Sequence, residues 1–269
     1  MSISLGNLEV IAGLPQVKFG ATIDDMVGEI DANGKLLTPT STFNLNFAGV
    51  DNVAENGLRY KYAFLNVNAV SFPDLTQVTG FRALNYTFYA TTLSSISFPK
   101  LTSVSANYAM SYCLSSITTP FTVDLSKLVS ITASYGLDYF CQNATGLISL
   151  DLSSLETVSG SAAMRSCFYG CTGITTFTFP KLKTLTSSNA LNQCFRLCTN
   201  LQTLYFPALT STSFGSANTN QFGNMVQGVT GCTVHFPSNL QSVIGSWSDV
   251  TAGFGGTNTT ILYDLTATT

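Results

Sequence analysis

One phrase recurs along the chain. It reads "AVSFPDLTQV" at Ala69–Val78, "SISFPKLTSV" at Ser95–Val104, "TFTFPKLKTL" at Thr176–Leu185, "TLYFPALTST" at Thr203–Thr212 and "TVHFPSNLQSV" at Thr233–Val243. The apolar residue three places after each Phe gives the anchors Leu75, Leu101, Leu182 and Leu209, and Val50, Leu128 and Leu155 fill the same slot in looser copies. From Val50 to Leu209 the gaps are 25, 26, 27, 27, 27 and 27 residues, and Leu240 follows 31 later. A fixed period of this length marks stacked supersecondary units. Eight units fit between residues 43 and 245.

Each unit has the same parts. A short alternating stretch comes first, such as Leu201-x-x-Leu204-x-Phe206, and alternation predicts a strand buried on one face. Pro, or Ser in two units, then ends the strand. A second apolar pair follows, as in Leu182 and Leu185, and last comes a segment such as Asn189–Asn200, with Leu191, Phe195 and Cys198 three to four apart. That spacing predicts a helical turn or two against the core. One unit alone cannot bury its apolar face, but units stacked at about 4.8 Å can. Phe72, Phe98, Leu125, Leu152, Phe179, Phe206 and Phe236 then form one internal column.

The pattern L-x-x-[IL]-x-[FI]-P-x-L-x-x-[VI], followed by F-x-x-C-x-x-L as in "FYGCTGI" (Phe168–Ile174) and "FRLCTNL" (Phe195–Leu201), resembles BspA-like (TpLRR-type) leucine-rich repeats. The resemblance covers about three quarters of the chain. It implies an α+β repeat fold: a leucine-rich-repeat solenoid of about eight coils, with parallel strands on one face and short helices or turns on the other. It also implies a non-enzymatic, surface-exposed recognition or adhesion protein. Similar repeats occur in phage- and prophage-encoded proteins.

Composition narrows the surface. Only 9% of the residues are charged and the net charge is −3, so phosphate neutralisation has little to work with and nucleic acid is not an expected partner. Ser and Thr number 30 and 36 of 269, so hydroxyls supply most of the polar surface, which suits strands. No apolar run reaches the roughly 18–20 residues of a membrane span. The start "MSISLGNLEV" lacks a basic segment followed by an apolar one, so a conventional signal peptide is not expected.

Residues 1–42 fall outside the repeat and read as an N-terminal cap or attachment arm; residues 246–269 read as a C-terminal cap, with Trp247 covering the last coil and Thr257–Leu265 as one last strand. Cys167/Cys171 and Cys194/Cys198 repeat at 27 residues. Zinc or an inter-coil disulfide would use such pairs, but a buried ladder of small apolar side chains is the expected reading. No cofactor or metal site is expected.

Alternation assigns the outward side chains to columns. One holds Asn46, Ser71, Ser97, Asp124, Asp151, Thr178, Tyr205 and His235; the other holds Ala69, Ser95, Thr122, Ser149, Thr176, Thr203 and Thr233. The expected binding residues are Asp124, Asp151, Thr176, Thr178, Thr203, Tyr205 and His235, with the aromatic pair as anchors. Asp124 and Asp151 stand side by side in this scheme, as a calcium pair would, but nothing nearby supplies further oxygens. The partner expected is a protein or a surface glycan, within a larger assembly. The setting favoured is a phage particle, as a virion or tail component; a bacterial surface adhesin exported by another route is the second reading. An enzyme acting on polysaccharide through His235 and Asp151 is the third, and catalysis is not expected because one histidine without a convergent site does not make a catalyst.

Overall fold

The computed structural model describes residues 43–210, 213, 221–244 and 254–266. Fourteen strands occur in them. They are β1 (Phe43–Asn46), β2 (Val67–Ser71), β3 (Gln77–Val78), β4 (Ser95–Ser97), β5 (Ser103–Val104), β6 (Phe121–Asp124) and β7 (Ser130–Ile131). The rest are β8 (Leu147–Asp151), β9 (Thr157–Val158), β10 (Thr176–Thr178), β11 (Thr184–Leu185), β12 (Thr203–Tyr205), β13 (Thr233–Pro237) and β14 (Thr260–Leu265).

Every strand pair is parallel, because each strand meets its neighbour one full coil later along the chain. The longer strands form the first face, as a sheet ordered β1-β2-β4-β6-β8 and a second ordered β10-β12-β13-β14. In five coils the second member of the apolar pair after the Pro or Ser, such as Val78 or Leu185, ends a two-residue strand, and these make a further sheet, β11-β9-β7-β5-β3. The chain is thus a parallel-strand solenoid of about eight turns. The expected internal column is present: Phe72, Phe98, Leu125, Phe179, Phe206 and Phe236 are fully buried and Leu152 nearly so. Phe47, Phe72 and Phe98 stack at ring separations of 4.0 and 5.0 Å, and Phe179, Phe206 and Phe236 at 5.2 and 5.3 Å.

The third side of each coil departs from the helical expectation, and with it the α+β label. Among the described residues, helix is limited to a 3-10 turn at Ser238–Leu240, one α turn at Gln241–Ile244 and the single residue Phe254. The segments between Cys-rich motifs are ribbons of consecutive turns. Every fourth residue is left-handed: Arg82, Tyr86 and Ala90 in one coil, Tyr108, Tyr112 and Ser116 in the next, Tyr135, Tyr139 and Asn143 after that, with φ of 52–63°. Such a residue stops the helix from propagating and costs on the order of 1–3 kcal/mol. The compensation lies in hydrogen bonding. Alternate N–H groups close local turns, as Lys61 to Leu58 C=O at 3.1 Å, while those between donate to the next coil, as Tyr60 to Asn85 C=O at 3.2 Å and Tyr62 to Thr87 C=O at 3.0 Å. A helix would have spent all of these groups within one coil and left neighbouring coils unbonded. The ribbon repeats its pattern every four residues, so Leu191, Phe195 and Cys198 carry helix-like spacing without a helix.

All seven cysteines, from Cys113 to Cys232, are buried free thiols in these columns. Cys171 and Cys198 donate to the carbonyls of Cys141 and Phe168, both at 2.9 Å. Burial pushes the thiols up: Cys232 to about 11, Cys198 to about 12, and Cys141, Cys167, Cys171 and Cys194 well above the ordinary value. The thiolate is the reactive form, so native protein at pH 8 should leave all seven unmodified by a thiol-reactive disulfide dye, and guanidinium should release all seven. The linkage sign follows from the raised pKa values. The folded state holds these protons longer than the unfolded chain, so their contribution is intact below about pH 9 and is lost as pH rises beyond it. Thermal midpoints should hold steady to about pH 8.5 and fall above pH 9; a midpoint indifferent to pH 11 would contradict the burial.

Residues 1–42 and Trp247, assigned above to caps, lie outside the described residues. The strand expected over Thr257–Leu265 is β14, which starts at Thr260 and pairs with β13 as the last strand of the first face, while Thr257 makes only an isolated bridge to Thr230. No described helix is long and apolar enough to cross a membrane.

Candidate functional site: the strand face and its cleft

The outward columns follow directly from strand register. Ser71, Ser97, Asp124 and Asp151 pair in sequence across β2, β4, β6 and β8, and Thr178, Tyr205, His235 and Leu262 pair across β10, β12, β13 and β14. In the second column Ala69, Ser95, Thr122 and Ser149 pair, as do Thr176, Thr203, Thr233 and Thr260. Tyr205 stacks on His235 at 4.6 Å between ring centroids. His235 Nδ1 lies 2.9 Å from both carboxylate oxygens of Asp264. Sequence reasoning missed Asp264, because it sits two residues past the register partner of His235 and so outside the repeat spacing.

Asp124 and Asp151 are neighbours, as expected, but each carboxylate turns to its own chain. Asp124 Oδ1 accepts the Ser126 N–H at 2.9 Å and Asp151 Oδ1 accepts the Ser153 N–H at 2.8 Å. These local bonds tighten the turn after each strand. No group of three or more His, Cys, Asp or Glu able to hold a metal occurs among the described residues.

The expected face is not continuous. It divides between β8 and β10, which make no ladder. Elsewhere along the stack, a residue in the second outward column donates to the coil before it, as Thr122 to Ser94 C=O at 3.1 Å and Thr203 to Thr175 C=O at 3.3 Å. The residue after the strand donates to the coil beyond, as Leu125 to Asp151 C=O at 3.2 Å and Phe179 to Tyr205 C=O at 3.0 Å. Here β8 and β10 are not paired, and the bond equivalent to the second kind, Leu152 N–H to Thr178 C=O, is missing from the backbone network of the described residues.

The same two coils remain joined behind the break, where Thr157 and Val158 of β9 pair with Thr184 and Leu185 of β11. At the base, a Cβ on Gly173 would lie only 2.6 Å from Leu147 O. The break is therefore a wedge, closed behind and open on the first face. An irregularity precedes it: register slips between Phe121 and Thr122, which leaves Ile148 unpartnered and 65% exposed. Such slips raise local twist and end pairing.

The wedge is a cleft of about 520 Å³, lined by β8, β10 and the turns beside them, with Ile174 and Pro180 on one wall. That volume is in the range of small-ligand sites. Leu150 and Phe177 beside it are each 8% exposed, against 0–3% for Val70, Ile96, Val123, Leu204 and Val234 at the same inward position. Of the expected binding residues, the structure brings Asp151, Thr176 and Thr178 together at the cleft. Asp124 lies one strand away on one side, and Thr203, Tyr205 and His235 lie on the other. Asp151 and His235 are separated by the cleft and by β10 and β12, each strand adding about 4.8 Å, so the pair required by the polysaccharide-enzyme reading does not converge.

The ribbon side carries a feature that no expectation named. Tyr60, Tyr86, Tyr112 and Tyr139 stack at 4.7, 4.5 and 4.7 Å, with Arg59 over Tyr60 at 4.9 Å and Arg165 over Tyr139 at 5.4 Å. Arg165 also grips the buried Asp138 with two bonds of 3.0 and 2.9 Å. The ring faces are used against one another, so this column shields the ribbon backbone and offers edges rather than a stacking platform. Its signal was present in the sequence as Tyr86, Tyr112 and Tyr139 at the repeat spacing.

No family model and no curated protein matches the chain. Among solved structures, a leucine-rich repeat protein from Bacteroides ovatus ATCC 8483 is similar at 18% identity over 73% of this chain, with a TM-score of 0.34; the match spans 52% of that protein.

Proposed function

We propose that the chain is a non-enzymatic recognition protein and that a partner protein docks on the first face, at and around the cleft. The observation that supports this most is the pairing of an extended, low-charge hydroxyl surface with one interruption, where strand edges and apolar side chains are left open. Short hydroxyls lose little side-chain entropy on docking, and Tyr205 on His235 supplies a rigid aromatic anchor beside the cleft. The test is binding of the full chain to displayed peptides and to an array of bacterial surface glycans, repeated with Thr203→Lys and Tyr205→Ala. Loss of peptide binding in both variants is the expected result. Binding indifferent to every first-face substitution, or glycan binding alone, would count against it.

The setting proposed is a phage particle, a reading supported by the low charge and hydroxyl-rich surface together with the repeat pattern. Mass spectrometry of purified particles should find the chain; its absence would sink the location and leave the recognition role standing.

A further inference from the structure

We infer that the cleft between β8 and β10 is a strand-insertion site: an extended segment of the partner protein enters it and pairs its backbone with the free edge of β10. This rests on the recognition reading above and adds the mode of binding.

Three observations select a strand as the occupant. First, what the cleft leaves open is a row of backbone groups at strand spacing, on a strand whose other edge is already paired with β12. Residues of a strand present N–H and C=O to alternate sides, so Thr176 and Thr178 face the cleft while Phe177 serves β12. An added strand is the partner that satisfies such a row. Second, the wedge narrows to contact at Gly173 and Leu147, which admits a single extended chain and turns away the flat edge of another sheet. Third, the walls ask for alternation. Leu150 and Phe177 lie inward with residual exposure, so the occupant needs apolar side chains at alternate positions. Asp151 lies outward, and the ion pairs of the described residues, Lys100–Asp74, Arg165–Asp138 and His235–Asp264, do not include it. The occupant is therefore a peptide alternating apolar and polar residues, with Lys or Arg on the polar side.

The test uses the full chain and a library of displayed 12-residue peptides, followed by synthesis of the best binder. Selected sequences should alternate and carry a basic residue. Thr178→Pro removes one N–H on the cleft side and none from the β10–β12 ladder; it should keep the thermal midpoint and weaken the peptide at least tenfold. Asp151→Asn keeps the turn acceptor for Ser153, removes the charge, and should weaken binding severalfold. N-methylation of the peptide's pairing amides should cost at least tenfold, and of the alternate amides little. Hydrogen exchange at Thr176 and Thr178 should slow in the complex.

If binding is lost in Thr203→Lys yet ignores Thr178→Pro and both methylation patterns, insertion is wrong and first-face recognition stands. If no peptide binds, or binding maps to the tyrosine ribbon, both fail. Dimerisation of the chain that Thr178→Pro abolishes would assign the cleft to a second copy and overturn the proposal. Should Thr178→Pro not fold, the methylation pattern decides alone.

Discussion

Phe206→Ala should lower the unfolding free energy by about 3–5 kcal/mol, the range for a fully buried aromatic truncated to Ala. Phe206 has no solvent exposure and is held between Phe179 and Phe236, with the edge of Phe222 at 5.6 Å. Each coil buries its core only against its neighbours, so the cavity loosens two interfaces at once. For a chain of this size the thermal midpoint should drop by roughly 10 °C or more. Phe206→Leu should cost much less, because Leu125 and Leu152 occupy the same column in two coils. Chemical denaturation of the three proteins measures both effects. An Ala variant as stable as the parent would mean that the column is not packed as described.

Deleting one whole coil should be tolerated, whereas deleting half of one should abolish folding. Removal of residues 102–128 takes out β5 and β6 and joins Leu101 to Val129, so every later residue keeps its column. Stability then falls by about one coil and one interface, as for a one-dimensional stack. Removal of 102–114 leaves one coil of half length that cannot bridge its neighbours, so the stack is split between Leu101 and Leu128. The first deletion should keep a strand-type circular dichroism spectrum and a cooperative melt, and the second should show neither. Equal behaviour of the two would exclude a stack in register.

These expectations were largely legible because, in a stacked coil, register equals repeat. The spacing of Phe72, Phe98 and Phe179 was enough to assign the internal column, and the alternation around it assigned Asp124 beside Asp151 and Thr203 beside Thr233. Three features were not legible, each for a physical reason. The turn ribbon mimics a helix because left-handed residues recur every four positions, and no Gly marks most of them. The cleft is silent because the 27-residue spacing is the same on both sides of it, and the register slip at Ile148 beside it leaves that spacing unchanged. The Asp264 contact to His235 is diagonal, and diagonal contacts do not follow the repeat.

The stack itself is tested most directly by spin-label distances along one outward column. With the native thiols buried, labels attach only to engineered cysteines. Ser71→Cys with Asp124→Cys places labels two strands apart, and Ser71→Cys with Ser97→Cys one strand apart, at about 10 and 5 Å between backbones. Both pairs should show dipolar broadening in frozen solution, stronger for the second, and either label alone should show none. Sharp, unbroadened spectra from both pairs would mean that these coils do not lie side by side, and the strand face and its cleft would go with them.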